Sequence, residues 1–255
     1  MQLRVLGCSG GIGGSLRTTS FLIDSDILLD AGTGVGDLSI EQLLGIDHIF
    51  ITHSHLDHIA CIPLLADTVL GLRDKPVNVH ATVETWQIIS EHIFNWKVWP
   101  DFTVIPNPDQ PILAWKEIRL GQTVMLGNRR ITPVPANHVV PAVGFHLEGE
   151  RSSLIFSGDT TICDALWAYA NCTGNLQYLL IETAFSNDEA EMAKLSKHLC
   201  PALLLDELAK LEHSPQVFIT HLKPGEGDII MQEIVSGAPA GMRIQALDHG
   251  HIFEL

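Results

Sequence analysis

Cationic side chains are scarce in this chain: 15 Lys and Arg stand against 30 Asp and Glu in 255 residues, for a formal charge of −15. That balance argues against a stable nucleic-acid partner, because such binding draws on clustered Lys and Arg to replace counterions. No dense cluster exists. Cysteine pairs are missing as well. Cys8, Cys61, Cys163, Cys172 and Cys200 are scattered without a CxxC spacing, which argues against a disulfide framework or a thiolate zinc knuckle and leaves them a packing role. No apolar run approaches the length of a membrane span, and the N-terminus lacks the basic stretch, apolar core and cleavage site of a secretory signal. A cytoplasmic protein with no membrane association is expected. Linkers rich in Gly, Ser or Pro, internal repeats and low-complexity tracts are also absent, so residues 1–255 are expected to form one domain with a substantial core.

What the chain does have near its start is glycine. The stretch from Gly7 to Gly13, "GCSGGIG", fits the three-glycine pattern of dinucleotide-binding domains, which needs a strand before it and a helix after it. The continuation is "RTTSFLIDSDILLDAG", two short apolar runs separated by Asp24, Ser25 and Asp26, a hairpin pattern. Neither Tyr169 nor Tyr178 has a lysine four residues on, so a short-chain dehydrogenase is excluded too.

Strands are expected near Leu3 to Leu6, Phe21 to Ile23, Ile27 to Asp30, His48 to Ile51, Val77 to His80, Ile131 to Pro135, Val143 to Leu147, Leu154 to Ser157, Tyr178 to Glu182 and Val217 to Thr220. A further strand is expected within the C-terminal "DHGHIFEL". Leu204, Leu208 and Leu211 repeat at helical spacing after Pro201, a favoured first-turn residue. Strand pairs early and strand–helix alternation later suggest two sheets with helices outside.

Histidine, at 13 residues, is the informative excess. After the apolar "HIFI" comes "THSHLDHIACIPLL", with His53, His55, Asp57 and His58 inside six residues. In an extended turn residues two apart point the same way, so His53 and His55 can grip one cation, while Asp57 and His58 at the mouth of the next helix face a second. The alternative is a polar turn with surface histidines. Each cation needs further ligands from loops that follow strands. His138 after "TPVPAN", Asp159 after "SLIFSG" and His221 after "QVFIT" qualify. The set closes as His53, His55, His138 and Asp159 on one metal, with Asp57, His58, Asp159 and His221 on the other. Imidazole and carboxylate ligands suit zinc foremost, with manganese or iron also accepted.

Asp30 in "LLDAG", "THSHLDH", His138, "SGDT" and "THLKPG" together resemble the five ordered motifs of the metallo-β-lactamase superfamily. The resemblance implies an α/β fold, a four-layer αββα sandwich with two divalent metal ions at one edge, and Asp30 as an acceptor orienting a ligating imidazole from behind. "HVVPAVGF", "LLIETAF" and "SKHL" resemble the phosphodiesterase branch that includes ribonuclease Z, in which Glu182 and His198 would form a dyad beside the metals. "HSHLDH" and "HIFNWKVWPDFT" are similar to class II 3′,5′-cyclic-nucleotide phosphodiesterases, although Cys61 stands where that group usually has Gly or Ser, and Pro63 where it has a longer aliphatic run.

That resemblance implies hydrolysis of cAMP or cGMP to a nucleoside 5′-phosphate by hydroxide generated at the metals, with His198, Glu182 and Asp57 catalytic. It also implies a homodimer, and a glycine-rich first loop in which Gly10 and Gly11 keep the substrate's approach clear. A ribonuclease Z-like endonuclease or another phosphodiesterase of the same fold is the second reading. A metal-bound redox or sensor protein is the third, without the extra carboxylate ligand or flavin domain of redox members. Trp86, Trp96, Trp99 and Phe102 could stack on a purine, but core or dimer packing suits such an insert better. His48 is expected to be structural; His80, His92, His146, His213, His249 and His251 are given no role.

Overall fold

Apolar runs without polar alternation, such as Ile27-Leu28-Leu29, require that both faces of a strand be covered. In the computed structural model, which describes residues 1–255, all three of these side chains are fully buried. Leu28 points to one apolar cluster while Ile27 and Leu29 point to another, as the two-residue strand period dictates.

The first sheet is built from β1 (Gln2–Gly7), β2 (Ser20–Ile23), β3 (Ile27–Ala31), β4 (His48–Phe50), β5 (Val77–Ala81) and β6 (Leu113–Glu117). The second contains β7 (Val124–Leu126), β8 (Arg129–Pro135), β9 (Val143–Glu148), β10 (Ser153–Phe156), β11 (Leu176–Glu182), β12 (Gln216–Thr220) and β13 (Ile244–Ala246). The C-terminal β14 (Ile252–Glu254) returns to the first sheet and pairs antiparallel with β1, so each sheet has seven strands. The β2–β3 hairpin turns at Asp24, whose φ of 50° is left-handed. No helix follows Gly7 at once, which removes the dinucleotide-binding geometry.

Helices α1 (Ile40–Gly45), α2 (Leu56–Ile59), α3 (Cys61–Val69) and α4 (Val83–His92) follow strands of the first sheet. Helices α5 (Asp164–Asn171), α6 (Ala190–Ser196), α7 (Pro201–Leu208) and α8 (Gly227–Gly237) belong to the second half. The layers are separated by three apolar clusters. Leu3, Phe21, Phe50, Phe145, Phe156 and Phe218 fill the space between the sheets. Ile62, Leu65 and Ile89 cover the outer face of the first sheet, and Leu166, Leu204 and Ile230 that of the second. This is the expected αββα sandwich.

All ten internal strands expected from sequence are present, and β14 is the expected terminal strand. Three strands were not anticipated: β6, β7 and β13. The α7 helix begins at Pro201 and buries Leu204 and Leu208, but it ends before Leu211. The cysteines are all free; Cys61 and Cys200 are buried, whereas Cys172 is exposed and has no packing role. No helix is long and apolar enough to cross a membrane.

Candidate metal centre

In the second sheet β10, β11 and β12 run parallel, and β8 has the same direction because two antiparallel pairings separate it from β10. Residues that follow these strands therefore emerge at one edge: His138 after β8, Asp159 after β10, Glu182 at the end of β11 and His221 after β12. From the first sheet, parallel strands β3 and β4 deliver Asp30 and the Thr52–His58 turn. The two sheets meet there as loops.

The expected ligand sets come together as expected. The ligand atoms of His53, His55, His138 and Asp159 lie within 4.8 Å of one another, and so do those of Asp57, His58, Asp159 and His221. Asp159 belongs to both. Its Oδ2 lies 3.6 Å from His53 Nε2, while its Oδ1 lies 3.3 Å from His58 Nε2 and 3.4 Å from His221 Nδ1. Asp57 Oδ2 stands 3.7 Å from both His58 Nε2 and His221 Nε2. These separations are at or beyond the limit of a good hydrogen bond. They are close to the ~3.4 Å that separates two ligands of one tetrahedral ion held at about 2.0–2.1 Å.

The residues fit divalent cations on a second count. His53 Nε2, His58 Nε2 and His221 Nδ1 are buried without any hydrogen-bond partner. Three orphaned ring nitrogens converging on one carboxylate would be costly unless another group satisfied them.

The opposite ring nitrogens of His53 and His58, and Nδ1 of His138, are held from behind. His58 Nδ1 donates to Asp30 Oδ2 at 2.7 Å. Thr52 Oγ1 donates to the same Oδ2 at 2.8 Å and therefore accepts from His53 Nδ1 at 2.9 Å. His138 Nδ1 donates to the Lys197 carbonyl at 3.0 Å. Each bond places the proton on Nδ1 and leaves Nε2 with its lone pair toward the centre. Asp30 thus stands where an orienting acceptor should, fully buried, at a left-handed φ of 54°.

Burial lowers the His53 pKa well below its ordinary value and brings those of His138 and His221 to about 4, so the three imidazoles are neutral, the form that ligates. At His58 the carboxylates of Asp159 and Asp30 outweigh burial and raise the pKa. Asp159 is held low because His221 and His58 overcome its own desolvation.

Glu182 and His198 are also brought to this edge. The His198 ring lies between those of His138 and His221, with centroids 4.9 and 5.1 Å away. Its Nδ1 is 2.8 Å from Glu182 Oε1, and Glu182 raises the His198 pKa against the effect of burial.

The glycine loop sits beside the centre, packed against the His221 turn. A Cβ on Gly10 would fall 2.5 Å from the His221 carbonyl oxygen and 2.9 Å from its ring, and one on Gly11 would meet Pro224 at 3.0 Å. The loop is bonded to the His221 turn by His221 N to Cys8 O at 2.7 Å and Gly10 N to Leu222 O at 3.0 Å. Close packing against this turn leaves no room for a Cβ at Gly10 and little at Gly11.

Of the aromatic group, Phe102 is buried and Trp86 stacks on Trp115, whereas Trp96 is 64% exposed. Packing is the role of the first two. His48 and His80 bond to each other at 2.9 Å away from the centre.

Sequence reasoning missed Thr52, Asn137, Thr160 and Lys197, all of which hold site residues. Each is a chain neighbour of a recognised motif residue, and that adjacency was the available signal.

The family description "Beta-lactamase superfamily domain" matches residues 25–222. The chain is 27% identical over 236 residues to a probable 3′,5′-cyclic-nucleotide phosphodiesterase of Yersinia pestis, covering 80% of this chain and 67% of that one. It is 24% identical over 155 residues to a ribonuclease Z of Methanopyrus kandleri, covering 58% of this chain and 50% of that one. In fold, unliganded yeast PDE1 superposes with a TM-score of 0.82 at 19% identity, over 100% of this chain and 99% of that one. By its ordered motifs, its two-sheet architecture and a family match across most of its length, the chain belongs to the metallo-β-lactamase superfamily.

Proposed function

We propose that this metal-dependent hydrolase is a phosphodiesterase that opens 3′,5′-cyclic nucleotides to nucleoside 5′-phosphates, using two divalent cations, zinc foremost. The observation that carries the reading is Asp159, shared by two four-residue groups beside the Glu182–His198 pair. Divalent cations held by these two groups would supply a lowered pKa for water and compensation of phosphodiester charge.

The chain's own residues supply the rest. Asp159, with one oxygen toward each group, fixes the spacing of the two halves of the site. Asp30 and Thr52 keep His58 and His53 aimed inward. Glu182 accepts the Nδ1 proton of His198, which leaves Nε2 to handle the proton of the reacting oxygen. As the oxygen of water bonds to phosphorus and the P–O3′ bond breaks, His198 Nε2–H gives its proton to O3′, and the nucleoside 5′-phosphate leaves. General acid catalysis of this kind contributes about 10²–10⁴-fold.

A small substrate is favoured by the surroundings. A groove of about 730 Å³ opens at His138, walled by Val83, Ile118, Leu120 and Val139, within the usual range for small-molecule sites. Its one cation, Arg119, is already bonded to Glu117 at 2.7 Å, so the groove offers no track for a polyanion. The relative named ribonuclease Z makes an RNA substrate the second reading.

Purified protein incubated with cAMP, cGMP, a 2′,3′-cyclic nucleotide and a precursor tRNA, with and without a chelator, separates them. Chelator-sensitive release of a nucleoside 5′-phosphate from cAMP or cGMP is expected. Cleavage of tRNA alone refutes the proposal.

A further inference from the structure

We propose that Lys197 is a positioning residue that ties the His138 side of the metal centre to the Glu182–His198 pair. The inference rests on the two-cation reading of the site.

Helix α6 ends in a Schellman motif: the Lys197 N–H bonds to the Lys194 carbonyl at 3.3 Å and the His198 N–H to the Ala193 carbonyl at 2.8 Å. This geometry puts Lys197 in the left-handed region, at φ 52° and ψ 50°. Glycine is the low-cost residue there, since a Cβ brings strain. A lysine in that place is explained if its side chain is used.

It is used at the site. Lys197 Nζ donates to Asn137 Oδ1 and to the His138 carbonyl, each at 3.2 Å. Its own carbonyl accepts from His138 Nδ1 at 3.0 Å. One residue therefore holds His138 at both its ring and its backbone, while the next residue in the chain is His198.

The contact is part of a closed circuit. His198 Nδ1 donates to Glu182 Oε1 at 2.8 Å, and the Thr160 N–H, next to Asp159, donates to the same oxygen at 3.1 Å. The Asn137 N–H donates to Thr160 Oγ1 at 2.9 Å and returns the path to His138. The Lys197 ammonium crosses this ring and braces it. Without that brace the His138 loop keeps the bond from His138 Nδ1 to the Lys197 carbonyl and the bonds of Asn137 to Thr160 and Ile162, but loses its charge-assisted contacts with the segment that carries His198. A group that holds a ligating imidazole from behind typically changes metal affinity by about 10–100-fold; the Lys197 carbonyl holds the ring itself, and the ammonium acts one bond further back on the His138 backbone, which places its effect at the low end of that range.

Lys197→Gly keeps the backbone conformation and removes the side chain. The expected result is a thermal midpoint equal to or above wild type, with Zn²⁺ affinity reduced roughly tenfold for one of two cations in chelator competition. With bis(p-nitrophenyl) phosphate, kcat falls while KM stays within about twofold, as expected for an interaction that acts in the transition state. Lys197→Met shows the same losses without a gain in midpoint, and Lys197→Arg, which retains a donor, recovers part of them. Wild-type values of both cation affinities and kcat in the Gly variant overturn the proposal. So does a lowered midpoint with both cations weakened equally, which marks a purely structural role. A wild-type chain that binds fewer than two Zn²⁺ ions overturns the two-cation reading and this proposal with it, and is seen before any variant is compared.

Discussion

Replacing Thr52 by Val tests the orienting network directly, because the shape is kept and only the hydroxyl is lost. Thr52 is fully buried, and its Oγ1 bonds to both Asp30 and His53. Asp30 is left with His58 at 2.7 Å and the Thr52 N–H at 2.8 Å, so its charge stays compensated. His53 loses its acceptor altogether. A buried N–H left unsatisfied costs about 1–3 kcal/mol, and the lost bond to a carboxylate brings the sum to about 2–4 kcal/mol. For a chain of this size that is a fall of roughly 5–10 °C in thermal midpoint, measured in chelator so that bound ions do not contribute. The freed His53 ring should lower Zn²⁺ affinity about 10–100-fold at the group that contains it, while the His58 group, still held by Asp30, changes little. Competition with a chromophoric chelator resolves the two. Equal weakening of both ions, or of neither, would refute the orienting role assigned to Thr52.

His198→Ala should lower kcat by about 10²–10⁴-fold with metal content unchanged by elemental analysis, and full turnover removes His198 from the mechanism. Gly10→Ala forces a Cβ to within 2.5 Å of the His221 carbonyl, so a loss of about 1–3 kcal/mol in stability and weaker binding at the Asp57–His58–His221 group are expected. Gly36→Ala, which meets nothing within 4 Å, is the control, and equal behaviour of the two variants counts against the packing explanation. His80 has its pKa lowered to about 3 by burial and then by His48 and Lys116, against an ordinary 6.5. The unfolded chain takes up this proton below pH 6.5 and the folded chain does not until about 3. Stability is therefore complete above 6.5 and declines as pH falls, by about 1.4 kcal/mol per pH unit from this group. Urea titrations of His80→Gln between pH 7 and 5 should show a correspondingly shallower slope; parallel curves would dismiss the assignment.

The internal strands were legible because both faces of Ile27–Leu29 or Leu179–Ile181 are buried, and continuous apolar runs leave little choice of structure. The three missed strands, β6, β7 and β13, are all sheet edges. An edge strand has one neighbour and one open side, so Lys116 and Glu117 in β6 or Met125 in β7 are free to face solvent, and the apolar signal disappears. The candidate metal-site residues were legible for a different reason. Seven His and Asp side chains, each just past an apolar strand, are an unusual chemical pattern whatever the fold. The glycines show the limit of that kind of reading: Gly10 and Gly11 are recognisable as a motif, but only the position of the His221–Pro224 turn reveals what their missing side chains make room for.

The residues that hold the ligands were illegible because nothing in their chemistry is rare. Thr52 is an ordinary threonine until Asp30, 22 positions earlier, accepts its hydroxyl proton, and Lys197 is an ordinary helix-end lysine until His138, 59 positions earlier, donates to its carbonyl. Their roles depend on closures across the chain. A site of this type therefore divides into a part set by the chemistry of metal ligation, which calls for imidazole and carboxylate, and a supporting part that any residue with a suitable donor, acceptor and backbone conformation could fill. The second part is where members of one fold can differ in cation affinity and turnover while keeping the same seven candidate metal-site residues, and Lys197→Gly and Thr52→Val separate the two parts within a single chain.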